Sequence, residues 1–354
     1  MEFSYRSQLI LYCLHKLNGE RTVYGIFHIL TGKKSSQTIG DANLYGLSHL
    51  FGTLKTIDRN QILESTRELL QLNLIIEILP STNKFILTPE GIQVLKSSLE
   101  AKPIPSKLNG WKYNDATSIL WQRLSLLTQV LSNLIHGITQ YTAIQQDDHV
   151  VEWVKQFVKN VRFNRHELAE MLYKECQLCL TKVPEPEATI FVMRLTGSNR
   201  IGYTNDQISS ILNEDETWCQ LLFINVLHFV IAYVESNKAD FLILQQLLRR
   251  NEQSDVSLTT STRFTFSLLL QGKTIDEIAN IRNLKRNTIE DHIVEITHNM
   301  KDFSIKPFVS KKHQEKILSI YKELNTKQLR PIKERLGTDI SYFEIRLVLA
   351  KSGV

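Results

Sequence analysis

The chain has 354 residues, 42% of them hydrophobic and 22% charged, a balance that excludes a disordered chain and leaves room for roughly two or three packed domains. Its formal net charge of +5 and pI of about 8.8 are mildly basic, which suits a polyanionic partner without requiring one. Four cysteines in so long a chain exclude a disulfide framework.

The N-terminal "MEFSYRSQL" lacks the charged-then-apolar run of a signal peptide, so a cytoplasmic, nucleoid-associated location is expected. Residues 1–100 read as one domain. "SQLILYCLHKL" has helical spacing and stops at Asn18-Gly19; "TVYGIFHILTG" is a second short helix closed by Gly32. Asp58 caps a third, in which Ile62, Leu63, Thr66, Leu69 and Leu70 form an apolar stripe. The period then changes. "LIIEILPSTNKFILT" predicts two strands joined by Pro80-Ser81-Thr82-Asn83, and Thr88-Pro89 opens a further helix. Three helices and a β-hairpin follow one another in the order of a winged helix.

"EAKPIPSKLNG" is a plausible linker to an all-helical middle domain, residues 111–250. Trp121, Leu124, Leu127, Val130, Leu131 and Leu134 form one apolar stripe, and Val150, Val154, Phe157, Val158 and Val161 a second. On that second helix Lys155, Lys159, Arg162 and Arg165 fall on one face, expected to be a solvated flank rather than a phosphate site. Cys176 and Cys179 have the spacing of a metal knuckle, but no second pair completes it, and their helical surroundings predict core positions. The run Cys219–Val234 is too short for a membrane span and is interrupted by Gln220, Asn225 and His228, so a buried helix is expected and no membrane partner.

Residues 258–354 carry a tandem pattern. "TRFTFSLLLQ" is a helix stopped by Gly272; Thr274 and Glu277 form a capping box for the next; "NIRNLK" is a turn; Ile289, Ile293 and Ile296 form the inward stripe of the third. A second round follows in "SKKHQEKILSIYKEL", "KQLRPIKERLG" and "TDISYFEIRLVLAKS", the last opened by Asp339 or Ser341. The fold class is therefore mainly α: an N-terminal winged helix with a small β-hairpin, an all-α middle domain and a C-terminal tandem helix-turn-helix module.

A helix-turn-helix meets DNA with the start of its last helix. Here Lys285, Arg286, Asn287 and Thr288 stand at that start with Arg282 in the turn before them, but Glu290, Asp291 and Glu295 lie directly behind. Only the first turn is expected to approach a duplex. From Lys301 onward twelve basic residues oppose six acidic ones; Lys327, Arg330 and Lys333 recur every third residue as a candidate phosphate ridge, and Arg346 lies on the final helix. No phosphate-binding loop, zinc-protease or nucleophile-elbow motif occurs, so neither an enzyme nor a cofactor is expected.

Two stretches carry a family likeness. "GERTVYGIFHILTGKKSSQ", "LYGLSHLFGTL", "ILESTRELLQLNLI" and "LTPEGIQVL" resemble the winged-helix domain of RecQ-family helicases, and "TIDEIANIRNLKRNTIEDHI" with "LRPIKERLGTDISYFEIRLVLAKS" resembles the helix-turn-helix module at the tail of some of those enzymes. Together, without a helicase motor, they resemble the YpbB family of Firmicutes, whose members accompany a RecQ-like helicase. The resemblance implies a DNA-binding accessory factor of a RecQ-like DNA helicase, acting in DNA repair and recombination. It further implies phosphate contacts from the loop after the second helix, Lys33, Lys34, Ser35, Ser36 and Gln37, and from Arg59 and Asn60 at the start of the recognition helix. The predicted wing turn has no aromatic residue, which argues against strand separation by this wing. A transcriptional regulator or a scaffold that binds only protein are the competing expectations.

Overall fold

The computed structural model describes residues 3–78, 80, 82–249, 258–324 and 326–353. Among them are eighteen α-helices and one two-stranded sheet, the mainly α class that the periodicity predicts. The chain forms two compact units, one of residues 1–9 and 98–253, the other of residues 10–97 and 254–354.

The second unit begins within α1 (Tyr5–Leu17), which ends in Asn18 and Gly19, both with left-handed φ. It continues through α2 (Val23–Thr31), α3 (Ser36–Leu44), α4 (Arg59–Gln71), β1 (Ile75–Glu77), β2 (Phe85–Leu87) and α5 (Pro89–Ala101). The strands pair antiparallel with Ile76 opposite Ile86. Ser81, in the predicted wing turn, lies outside the described residues. Asp58 and Gln61 close a reciprocal capping box on α4, satisfying otherwise orphaned N–H groups. One element differs from the sequence reading: residues 36–44, which carried no assignment, form α3. Ser35 caps it by accepting from Thr38 N–H at 3.2 Å, so Ser36 and Gln37 are a helical first turn, not loop. Its apolar stripe is only Ile39 and Ala42 around Gly40, too weak for periodicity to report.

The first unit is helical throughout: α6 (Gly110–Ile135), α7 (Asp148–Asn160), α8 (Arg165–Leu180), α9 (Glu185–Met193), α10 (Asn205–Leu212), α11 (Glu216–Ser236) and α12 (Leu242–Leu248). By length and composition α11 could cross a membrane, yet it is the core helix here, with Leu221, Val226, Leu227, Ile231 and Val234 buried. Its polar interruptions have partners. Asn225 accepts from Lys107 N–H at 2.8 Å and donates to Glu187, while His228 Nδ1 accepts from Asn109 N–H at 3.0 Å. The predicted linker is thereby bonded along α11. Glu175 of α8 similarly accepts the first N–H groups of α12, from Ile243 and Leu244 at 2.8–3.1 Å. Cys176 lies against the core, Cys179 is buried within it, and burial pushes the Cys179 thiol up to about 12. The predicted basic face on one helix is corrected: α7 ends at Asn160, and Asn164 with Glu167 opens α8 by a capping box. Arg162 and Arg165 therefore do not share a helix with Lys155 and Lys159.

The tandem pattern closes the second unit as α13 (Thr260–Leu270), α14 (Ile275–Arg282), α15 (Arg286–Asn299), α16 (Lys311–Leu324), α17 (Leu329–Leu336) and α18 (Tyr342–Ser352). Thr274 and Glu277 make the predicted box, Asn283 makes the turn with φ +50°, and Ser341 with Glu344, not Asp339, opens α18. Ile278, Ile289, Ile293, Ile332, Ile345 and Leu347 lie in one core in which α15 and α18 pack against each other.

Candidate nucleic-acid interface

The third helix of each round is central rather than projecting. On α15, Ile289 and the whole run His292–Thr297 are buried, covered by α13, α14, α18 and α3. A helix enclosed in this way cannot lie along a groove. What remains exposed is its start, Lys285, Arg286 and Asn287, with Thr288 partly buried. Arg286 is balanced by Asp276 and by Glu290, the latter at 3.1 Å. Arg282 turns inward: its guanidinium donates to the Ser261 carbonyl at 2.7 Å and to the Thr265 hydroxyl, and it lies over the Phe264 ring.

In the second round Lys327, Lys333 and Arg346 are likewise engaged within the fold, and Arg330 is not. Lys333 donates to the carbonyls of Gly337 and Ile340 at 2.8 and 2.5 Å, neutralising the C-terminal end of α17. Lys327 precedes α17 instead of lying on it, and its ammonium donates to the Leu44 carbonyl. Arg330 pairs with Glu334 at 2.8 Å and remains exposed, while Arg346 pairs with Asp291 at 2.6 Å. The regular three-residue spacing is thus not a ridge along one helix.

A cavity of about 360 Å³ lies where α3 meets α15 and α18. Ser36, Gln37 and Arg346 border it, with the Arg21–Asp41 ion pair at 2.9 Å and His298. Burial pushes the Asp41 carboxyl up more than Arg21 pulls it down, and burial beside Arg346 holds His298 down at about 4.

Of the remaining predicted residues, Lys33 and Arg59 both lie near His28 of α2, while Lys34 lies near Glu295 of α15. Lys33, Lys34, Arg59 and Asn60 are all exposed. Lys33 follows α2, and Arg59 begins α4 with its guanidinium over two rings of α2, Tyr24 at 5.7 Å and Phe27 at 5.6 Å. His28 lies beside Phe27, and burial, Lys33 and Arg59 together lower its pKa. Among the described residues neither Lys33 nor Arg59 makes an ion pair. The three rings were missed in the sequence, although a signal was present: Val23, Ile26, Ile29 and Leu30 supply the buried stripe of α2, leaving Tyr24, Phe27 and His28 on the other face.

The family described as a helix-turn-helix domain matches residues 261–349, spanning both rounds of the tandem pattern. This supports DNA binding by the C-terminal module. The chain is 36% identical over 352 residues to Protein YpbB of Bacillus subtilis (strain 168), an alignment covering 99% of this chain and 98% of that one. No solved structure matches.

Proposed function

The chain belongs to the YpbB family, and from that premise we propose that it is a non-catalytic DNA-binding factor that holds a RecQ-like helicase at its DNA substrate during repair and recombination. The observation that carries the DNA half of this reading is the exposure of Lys33 and Lys34 after α2 and of Arg59 and Asn60 at the opening of α4, with Lys33 and Arg59 both near His28. Phosphate contacts from such residues set affinity without reading sequence. A sequence-reading regulator would need the body of α15 in a groove, and that body is buried. The helicase half rests on the likeness of both ends of the chain to RecQ-family segments, and linked binding of DNA and motor would raise the local concentration of the motor.

Fluorescence anisotropy of the full chain on random-sequence duplexes across a salt series tests the DNA half. Affinity is expected to fall steeply with salt and to vary little with sequence. Replacing Lys33, Lys34 and Arg59 together by alanine should lower affinity about 10-fold or more at 0.1 M salt and flatten the salt slope. An unchanged slope would remove these residues from the interface.

A further inference from the structure

The rings beneath Arg59 hold its guanidinium, but along a duplex they meet no free base face. Base faces in a duplex are stacked on one another, so an aromatic side chain at its surface has nothing to stack on; an unpaired base offers a free π-face. Tyr24, Phe27 and His28 are only partly buried and lie outside the apolar stripe of α2. Arg59 spans Tyr24 and Phe27 at nearly equal distance, and the Phe27 and His28 ring centres are 5.3 Å apart. The four side chains thus neighbour one another, with Lys33 near His28 and the exposed Asn60 following Arg59 on α4. Planar groups for stacking, flanked by cations for the backbone, are the two components that single-strand sites combine.

We propose that the surface formed by Tyr24, Phe27, His28 and Arg59 is a stacking site for an unpaired base of single-stranded DNA, with Lys33 on the adjoining phosphate. This deepens the DNA-binding reading above and rests on it. It gives the factor a preference for DNA with exposed single strand, such as the tail or fork beside a duplex. Lys33 and Arg59 serve both duplex phosphates and the strand, whereas Tyr24 and Phe27 support Arg59 in both and stack only on the unpaired base.

The test compares three ligands for the full chain at one salt concentration: a thymidine oligomer, an abasic oligomer of equal length, and a duplex. The abasic strand keeps the phosphates and lacks only the stacking faces. The thymidine oligomer is expected to bind about 10-fold more tightly than the abasic strand, the advantage of stacking one base. Tyr24→Leu with Phe27→Leu, which keeps apolar volume on α2, should bring the ratio of thymidine to abasic affinity to about 1. Any effect of losing the rings under Arg59 on phosphate contact acts on both strands and cancels in that ratio. In the unsubstituted protein, a 2-aminopurine placed within the oligomer should be quenched on binding, a readout that needs no variant. Equal affinity for thymidine and abasic strands, or an advantage that survives both substitutions, overturns the stacking site while duplex binding still upholds the broader reading. Binding to none of the three at low salt overturns both.

Discussion

Gly91→Ala is expected to destabilise the second unit by about 3 kcal/mol or more, a backbone clash being costlier than ordinary overpacking. A Cβ on Gly91 would stand 2.0 Å from the Leu74 carbonyl oxygen and 2.9 Å from its carbon. That carbonyl cannot simply withdraw, because it accepts from Thr88 N–H at 3.0 Å. Thr88 in turn donates its hydroxyl to Asn73 O at 2.8 Å and accepts from Gly91 N–H at 2.9 Å. Relief of the clash therefore breaks the junction between α4, β1 and α5. For a unit of this size the melting temperature should drop by roughly 10 °C. Gly40→Ala is the matched control: it lies within α3, and nothing stands within 4 Å of its added Cβ. There the change should be neutral or slightly stabilising, by up to about 1 kcal/mol. Equal melting of both variants in circular dichroism would contradict the packing described.

Acid should weaken the same unit through two histidines on α15. Burial and Arg282 hold His292 down at about 4, and burial and Arg346 do the same for His298. Nδ1 of His292 faces the Thr265 hydroxyl at 2.8 Å and the Arg282 guanidinium at 3.3 Å. A proton on that nitrogen would confront a cation and remove an acceptor. Asp291 opposes this effect only in part. In the unfolded chain both rings titrate near 6.5, so between pH 6.5 and about 4 the unfolded state binds protons that the folded state refuses. Stability is fully present above 6.5 and is lost as pH falls through this window, by about 3 kcal/mol for His292 at pH 4 and less for His298, which borders the cavity. Asp41 and Glu295, which burial pushes up, act with the opposite sign, since the folded state takes up their protons more readily. The difference between the unsubstituted protein and His292→Gln with His298→Gln isolates the histidines. Urea denaturation from pH 7.5 to 4 should show a shallower decline in the double variant; parallel curves would contradict the assignment.

What the sequence revealed of this molecule follows from how local each signal is. The cap at Asp58 and the capping box of Thr274 with Glu277 are signals of four residues or fewer, and their helices start where these predict. The αL stops at Asn18-Gly19 and Gly32 are equally local. Helix α3 was not legible because its stripe is two residues long. The end of α7 was not legible because Val161 continues the apolar spacing of Val154, Phe157 and Val158 past the break. At the candidate interface the charges were visible but their partners were not. Arg282 meets Ser261 and Thr265, Lys333 meets carbonyls beyond its own helix, and Arg346 meets Asp291 fifty-five residues away. Folding decides which cations are internal. The acids behind Asn287 led to the expectation that only the first turn of α15 meets a duplex; burial of Ile289 and of His292–Thr297 is a separate restriction that those charges do not report.

The central claim, that one chain joins DNA to a motor, is tested most directly by titrating the RecQ-like helicase of the same organism onto a labelled fork with and without this protein. At a salt concentration where the helicase alone binds weakly, added protein should tighten its apparent affinity about 10-fold or more, through a three-component complex visible in a mobility shift. The variant lacking Lys33, Lys34 and Arg59 should still bind the helicase but lose that enhancement. An unchanged helicase titration, with the two proteins migrating separately on the fork, would contradict the account.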